Sequence, residues 1–452
     1  MTITTPDLRD RIGSLMPEVH QDLAELVACQ SVADPRQFPE SECLKAARLV
    51  IEKFSDAGLQ DVRLEQTPDG HPAVYGHIPP PEGAPTVLLY CHYDVQPPLD
   101  PTGTAWKSPP FELTERDGRW YGRGASDCKG NIVVHLAALR ALRGHLPVGV
   151  KLIAEGSEEQ GTGGLEAFVP THADLLRADA IVIADTGNFA LGVPTLTTEL
   201  RGLTNVVVTV STLDNAMHSG MFGGPAPDAL LALIRMLATL RDAHGNTTIQ
   251  GLEADGTWQG VNYPAGQFRA DAHVLDGVEL VGDGHVQDML WSRPAVTVLG
   301  IDCPPVVGSS ASIPPQARAR VSLRVPPGMD ANQAQHLLIA HLRGVVPWHA
   351  EVEIEPEAIG EPFTASTDGP AYAAMSDALA QAFGRPTTTE GQGGSIPLCN
   401  VLHATFPEAE IMLLGVEEPK CLIHAPNESV APSEIEHMAL AEALFLSNYP
   451  TA

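Results

Sequence analysis

No stretch of the 452-residue sequence approaches the ~18 consecutive apolar residues of a membrane span. The N-terminal MTITTPDLRDRIGSLMPEVH carries acidic residues and no apolar core, so no secretory leader is expected and a cytoplasmic location follows. Basic residues are scarce: 27 Lys and Arg stand against 56 Asp and Glu, a net charge of −29 that repels phosphate backbones and anionic lipid headgroups. Nucleic acid and membrane surfaces are therefore excluded as expected partners. The seven cysteines are odd in number and never form a CxxC pair, which argues against both a disulfide framework and a thiolate zinc site. Internal repeats and long low-complexity linkers are absent as well.

What is present fits an ordinary globular protein, with 44% hydrophobic and 18% charged residues and a length that favours two domains. Residues 1–198 alternate helical and strand patterns: helical periodicity at 17–28, 41–57 and 131–143, and apolar strands at 86–92, 150–155 and 180–185. In an open α/β sheet the ligand crevice lies beyond the carboxyl ends of the strands, so the polar residues that close these strands are the first candidates for chemistry. From 199 to about 358 the order becomes strand (203–212), helix (226–242), strand (295–301), strand (319–325), helix (331–343) and strand (350–355). That order is βαββαβ, the ferredoxin-like arrangement, with a polar insertion at 244–293. The α/β pattern resumes over 359–452, with a helix at 370–383, a strand at 410–415 and a last helix for which Ser433 and Glu436 form a capping-box signature. The expected fold class is α/β: one catalytic domain built from both ends of the chain, with the ferredoxin-like domain inserted into it.

Five local elements carry chemical groups. His92 and Asp94, directly after a buried strand, read as an imidazole with a carboxylate to hold its second nitrogen, or as a satisfied structural histidine. Gly122 to Gly130, GRGASDCKG, presents Asp127 just before a helix and reads as a tight turn, an anion loop or a bridging carboxylate. Glu158 and Glu159 are adjacent carboxylates that would repel unless a cation lay between them or they did different jobs. Asp185 closes the next strand, and His424 stands in CLIHAP. The set His92, Asp127, Glu159, Asp185 and His424 contains only imidazole and carboxylate. Such ligands suit Zn²⁺, Mn²⁺ or Co²⁺ in a hydrolytic site, and a two-metal hydrolase is the reading that uses all five.

The ordered motifs HYDVQP (92–97), GRGASDCKG (122–130), EGSEEQGTGG (155–164), ADTG (184–187), HSG (218–220), SLRVPP (322–327), GGSIP (393–397) and IHAPNE (423–428) resemble the M20 metallopeptidases, in particular their carnosinase-like cytosolic dipeptidases. The resemblance spans most of the chain. It implies a phosphorylase/hydrolase-like catalytic domain that binds two divalent ions per subunit, Zn²⁺ first, with Mn²⁺ or Co²⁺ as alternatives. His92 and Asp185 would hold one ion, Glu159 and His424 the other, and Asp127 would bridge them. Glu158 would be the general base toward the attacking water, and Asp94 would orient His92. The inserted domain would act as lid and dimerisation domain of a homodimer, its His218 serving as oxyanion donor in the partner's site. Arg324 would grip the terminal carboxylate of a small peptide, and Gly393, Gly394 and Ser395 would line its backbone. The alternatives are an M20-type deacylase of N-acyl amino acids and an inactive binding homologue, the latter disfavoured because no expected ligand is missing. A two-metal phosphatase shares the cation chemistry, but the acidic net charge disfavours polyanionic substrates.

Overall fold

Four short apolar segments, Thr86–His92, Gly149–Glu155, Ala180–Ala184 and Glu410–Leu414, form the centre of the structure, a computed structural model that describes residues 4–449. They are buried almost throughout, as strands covered on both faces must be. They pair in parallel, in the order Gly149–Glu155, Thr86–His92, Ala180–Ala184, Glu410–Leu414, so all four carboxyl ends open on one side. Ala73–Ile78 and Gln60–Glu65 extend the sheet antiparallel at one edge, and Thr195–Leu200 pairs antiparallel with Glu410–Leu414 at the other.

Helix Lys129–Ala141 packs against Thr86–His92 and against the helices Thr5–Val27 and Pro432–Asn448. It is buried at every position except Arg140, which is why its sequence, KGNIVVHLAALRA, is mostly apolar on every face, with the buried Lys129, Asn131 and His135 each hydrogen-bonded. Its entry is tight. A Cβ at Gly130 would lie 2.5 Å from the carbonyl oxygen of Ala125 and 2.9 Å from Cγ2 of Val416, so only glycine lets the helix begin there.

The chain divides into two units. The one just described runs up to Thr198, takes in Ala365–Glu390 and continues from Leu398; the other holds Glu199–Thr364 and Gly391–Pro397. In the second unit, strands Ala295–Asp302, Gln316–Val325, Gly202–Ser211 and Glu351–Gly360 lie in that order and are antiparallel throughout. Numbered along the chain, the order is 2-3-1-4, a ferredoxin-like sheet. Helices Ala229–Ala238 and Ala331–Gly344 cover one face. Alternate residues such as Ala317, Ala319, Val321 and Leu323 meet Ala232, Leu233, Met236, Ala334 and Leu338 there in one apolar core. The insertion builds a small aromatic cluster, with Trp258 edge-on to Trp291 and Tyr263 edge-on to Phe268 at centroid distances of 5.1 and 5.4 Å.

Several sequence expectations are corrected. The first helix does not begin near 17: it runs from Thr5 through Pro17, started by a reciprocal cap between Thr4 and Asp7. The last helix starts at Pro432 on Ala431 with no side-chain cap, so the Ser433–Glu436 box is not formed. Proline at the first position removes the need for one donor. The helix expected over 226–242 is confined to Ala229–Ala238, where Asp228 caps the amides of Leu230 and Leu231. The second unit ends at Thr364 rather than 358, because its last strand runs to Gly360 and Phe363–Thr364 pairs with Leu200 and Glu199. Residues 391–397 also fall in the second unit, where the carbonyl of Gln392 accepts from the amide of Arg201 at 3.0 Å. Among the described residues, no helix is long and apolar enough to cross a membrane.

Gly130→Ala is expected to destabilise the protein by about 1–3 kcal/mol, the usual cost of overpacking. Gly266→Ala, in a helix with nothing within 4 Å of the new methyl, is expected to be neutral or slightly stabilising. Denaturant titration of both variants checks the contrast, and equal stability of the two would contradict the tight entry.

Candidate metal centre

His92 closes its strand and is fully buried. Its Nε2 stands 2.9 Å from Oδ1 of Asp127 and 3.1 Å from Oδ1 of Asp185. Its Nδ1 faces Asp94, 3.1 Å from the main-chain oxygen and 3.4 Å from the carboxylate. Asp185 directly follows Ala180–Ala184, and Glu158 and Glu159 sit in a single turn just beyond the strand end at Glu155. The amides of Glu158 and Glu159 donate to the two oxygens of Asp94 at 3.2 and 3.1 Å. Asp94 thus fixes the imidazole through its main-chain oxygen and the turn that carries the acidic pair through its carboxylate.

The second imidazole arrives from the far end of the chain. His424 adopts a left-handed backbone, φ +59°, that brings its Nε2 3.0 Å from Oδ2 of Asp127 and 3.1 Å from Oε2 of Glu159. Gln96 holds Glu159 from behind, its Nε2 donating to Oε2 at 2.8 Å. Asp127 therefore lies between two His–carboxylate pairs and offers one oxygen to each. His92, Asp127, Glu159, Asp185 and His424, the five residues singled out in the sequence, come together in the first unit, with Asp94 and Glu158 beside them.

The loop bearing Asp127 is held by a residue to which the sequence assigned no role. Glu428 is fully buried, and its oxygens accept from the amides of Gly124, Ser126 and Asp127 at 3.0, 3.0 and 3.1 Å and from Nη1 of Arg123 at 2.7 Å. Gly124 makes this wrapping possible with φ +81°. A second unforeseen residue is Glu417, a buried carboxylate with an oxygen within 4.8 Å of those of Asp127 and Asp185.

The electrostatics are lopsided. Asp94, Asp127, Glu158, Glu159, Asp185 and Glu417 face two imidazoles, and among the described residues none of the six pairs with a lysine or arginine. Burial, then Asp185, pushes the Glu158 carboxyl well above its usual range; burial, then Asp127, lifts Glu159 to about 7. Burial likewise raises Asp185 and Glu417. Hydrogen bonds to Asp127 and Glu159 raise His424 to about 11. Burial alone would lower His92, but the carboxylates of Asp185 and Asp127 outweigh it and carry the ring well above its ordinary value. Protons are thus demanded wherever a divalent cation would supply charge. Cys128 also lies near His92 and Asp185, yet burial pushes its thiol up and its Sγ donates to the carbonyl of Ala184 at 3.0 Å. It remains a thiol, which leaves a donor set of imidazole and carboxylate that fits two borderline divalent ions.

In the second unit, His218 is exposed, and its Nδ1 accepts from the amide of Gly220 at 3.1 Å. A neutral ring therefore carries its proton on Nε2, free to donate. Arg324 is half-buried on Gln316–Val325, opposite Leu203 and Ala295, and has no acidic partner among the described residues. Its neighbour is a third residue that the sequence reading passed over. Arg201 is 8% exposed, its Nε and Nη1 have no hydrogen-bond partner, and burial, then Arg324, lowers it to about 10. Its Nη2 lies so close to Gly393 that a Cβ there would come within 2.6 Å. Ser395 leaves its hydroxyl without a partner, while Gly394 has open space around it.

Comparison with known proteins places this geometry. The profile of peptidase family M20/M25/M40 matches residues 88–448. A cysteinylglycine-S-conjugate dipeptidase of Corynebacterium striatum is 44% identical over 439 residues, 95% of each chain. The human Beta-Ala-His dipeptidase is 28% identical over 472 residues, covering 95% of this chain and 90% of its own. The crystal structure of human carnosine dipeptidase 1 superposes with a TM-score of 0.84 over 99% of this chain and 100% of that one, at 24% identity, a likeness of fold. The chain belongs to peptidase family M20/M25/M40.

Proposed function

We propose that this protein is a metal-dependent dipeptidase that hydrolyses the amide bond of small peptides with free termini. The observation that carries the reading is Asp127, one carboxylate whose two oxygens each face a separate His–carboxylate pair. His92 and Asp185 would hold one divalent ion and Glu159 and His424 the second, with Asp127 shared between them and Zn²⁺ the first candidate, Mn²⁺ or Co²⁺ next. Bound there, two such ions polarise a scissile carbonyl and acidify water.

Glu158 takes the proton from the attacking water and returns it to the leaving amine. Its carboxylate has no hydrogen-bond partner among the described residues, and burial, then Asp185, raises its affinity for a proton, the direction a proton acceptor needs. Asp94 keeps His92 in the tautomer whose Nε2 lone pair faces the ion. His218, protonated on Nε2, donates to the developing oxyanion. Arg324 and Arg201 take the terminal carboxylate, which supplies the negative charge that this arginine pair lacks. Gly393, Gly394 and Ser395 line the peptide backbone beside Arg201.

The active form is a homodimer joined through the second unit. Among the described residues, strand Ala295–Asp302 pairs on only one side, and it exposes Val298, Leu299 and Ile301 at 39, 57 and 42%. A long apolar edge of this kind invites a partner strand. In this arrangement each His218 serves the partner's centre.

The direct test is hydrolysis by chelator-stripped protein with Zn²⁺, Mn²⁺ or Co²⁺ added back. The panel holds cysteinylglycine S-conjugates, Beta-Ala-His, other dipeptides, their C-terminal amides and N-acetyl amino acids. Metal-restored cleavage of dipeptides, with amides cleaved poorly, is expected; activity confined to N-acetyl amino acids would move the protein to the deacylase class. Glu158→Ala is expected to keep both ions while kcat falls at least ~10²-fold; normal turnover would remove Glu158 from the mechanism. Leu299→Asp is expected to convert a dimer to a monomer in light scattering and to lower kcat at unchanged metal content. A wild-type protein that is already monomeric would overturn the shared site.

A further inference from the structure

Glu417 is not needed to complete either His–carboxylate pair, yet it is built into the centre with care. It follows Glu410–Leu414 by three residues, at the sheet end where His92 and Asp185 also emerge. Its main chain is pinned: its carbonyl accepts from the amide of Asn188 at 2.7 Å, and Gly187 packs so closely that a Cβ there would lie 2.1 Å from that same oxygen. The side chain is 8% exposed, with an oxygen within 4.8 Å of those of Asp127 and Asp185. Among the described residues, no hydrogen-bond donor, lysine or arginine pairs with this carboxylate, and the His92 ring acts on it only through space.

The adjacent Glu418 shows the contrast. Its Oε1 pairs with Nη1 of Arg119 at 2.5 Å and its Oε2 accepts from the amide of Lys420 at 2.9 Å. Two neighbouring glutamates are thus sorted, one satisfied within the fold and one left open toward the centre. A buried carboxylate without a partner is costly, and a cation brought from outside the chain would relieve that cost.

Two divalent ions already have a carboxylate and an imidazole each, plus the bridging Asp127. A dipeptide brings one further cation. Its α-ammonium is attached to the carbon next to the scissile carbonyl, so it must arrive within a few bonds of the metal centre. We propose that Glu417 is the receptor for the free α-ammonium group of the substrate, and that it makes this centre selective for unblocked N-termini over N-acyl groups. The proposal rests on the dipeptidase reading and adds the residue that enforces it. Glu417 forms a charge-assisted hydrogen bond to the ammonium, and an acyl or alkyl group in its place leaves the carboxylate buried and unmatched.

Alanylglycine and propionylglycine differ only in the amine and make the test direct. Steady-state kinetics of the metal-loaded enzyme give kcat and KM for the first and an inhibition constant for the second. Metal content is measured in parallel on wild type, Glu417→Gln and Glu417→Asp. Glu417→Gln is expected to keep two ions per chain and to lose about tenfold or more in kcat/KM for alanylglycine, mainly through KM, with propionylglycine inhibition unchanged. Glu417→Asp, which keeps the charge on a shorter arm, is expected to fall between the two. Loss of one ion in Glu417→Gln would make the residue a metal ligand and overturn the proposal. So would equal losses for both compounds, or undiminished preference for the free amine. A wild-type enzyme that cleaves propionylglycine and spares alanylglycine would remove the dipeptidase reading as well, a result visible before any variant is made.

Discussion

Asp127 gives one oxygen to His92 and the other to His424, and much of the first unit serves to keep it there. Its amide is tied to Glu428, which also holds Gly124, Ser126 and Arg123, so the loop cannot swing without breaking four bonds to one buried carboxylate. Behind the loop, Gly130 allows the following helix to approach Ala125 and Val416 closely. The parallel strands bring His92 and Asp185 to the same side and let the turn after Glu155 supply Glu159. Preorganisation of this kind matters for the proposed bridging role, because a carboxylate can serve two ions only at the right separation.

The parts of this design that follow from local pattern were legible in the sequence. Near-continuous apolar segments such as AIVIA marked the central strands, and the polar residues directly after them marked the site, because the chemistry of a parallel sheet collects at its carboxyl end. The alternation in QARARVSLRV likewise placed a half-buried strand in the second unit. What escaped were residues whose meaning depends on partners far away. Glu428 bonds to a loop some 300 positions earlier, and in sequence it is one more acidic residue near a turn. Arg201 looks like a strand-end cation until its missing acid is seen. The Ser433–Glu436 signature failed for a local reason, since proline one position earlier claimed the helix start.

Elsewhere several buried charges are paired within the fold. Lys53 meets Asp22 and Glu25, Arg140 meets Asp22, Arg119 meets Glu418, and Arg123 meets Glu428. Against that background, the unmatched groups are informative. The first unit keeps a surplus of buried carboxylates, and the second keeps two neighbouring guanidiniums with no acid. Each surplus has the sign opposite to something a metallodipeptidase binds: divalent ions and an ammonium for the carboxylates, a terminal carboxylate for the arginines. Functional sites are where a fold tolerates such imbalance, because the ligand supplies what the chain withholds.

The same imbalance links chemistry to stability. Residues 421–428 cross three left-handed positions, Leu422, His424 and Asn427, and such backbone persists only where its surroundings hold it. Glu428 anchors one end and Asn427 bonds to Lys107 and Ala105, but among the described residues the His424 ring is held only through Asp127 and Glu159. Those contacts join carboxylates that repel one another until cations are present. Ions that bind the folded centre and not the unfolded chain therefore stabilise the fold by mass action, and they close a loop of about 300 residues as they do so. On the proposed ligand set, metal affinity and the order of this segment are two views of one equilibrium, and the placement of His424 late in the chain is what would couple them.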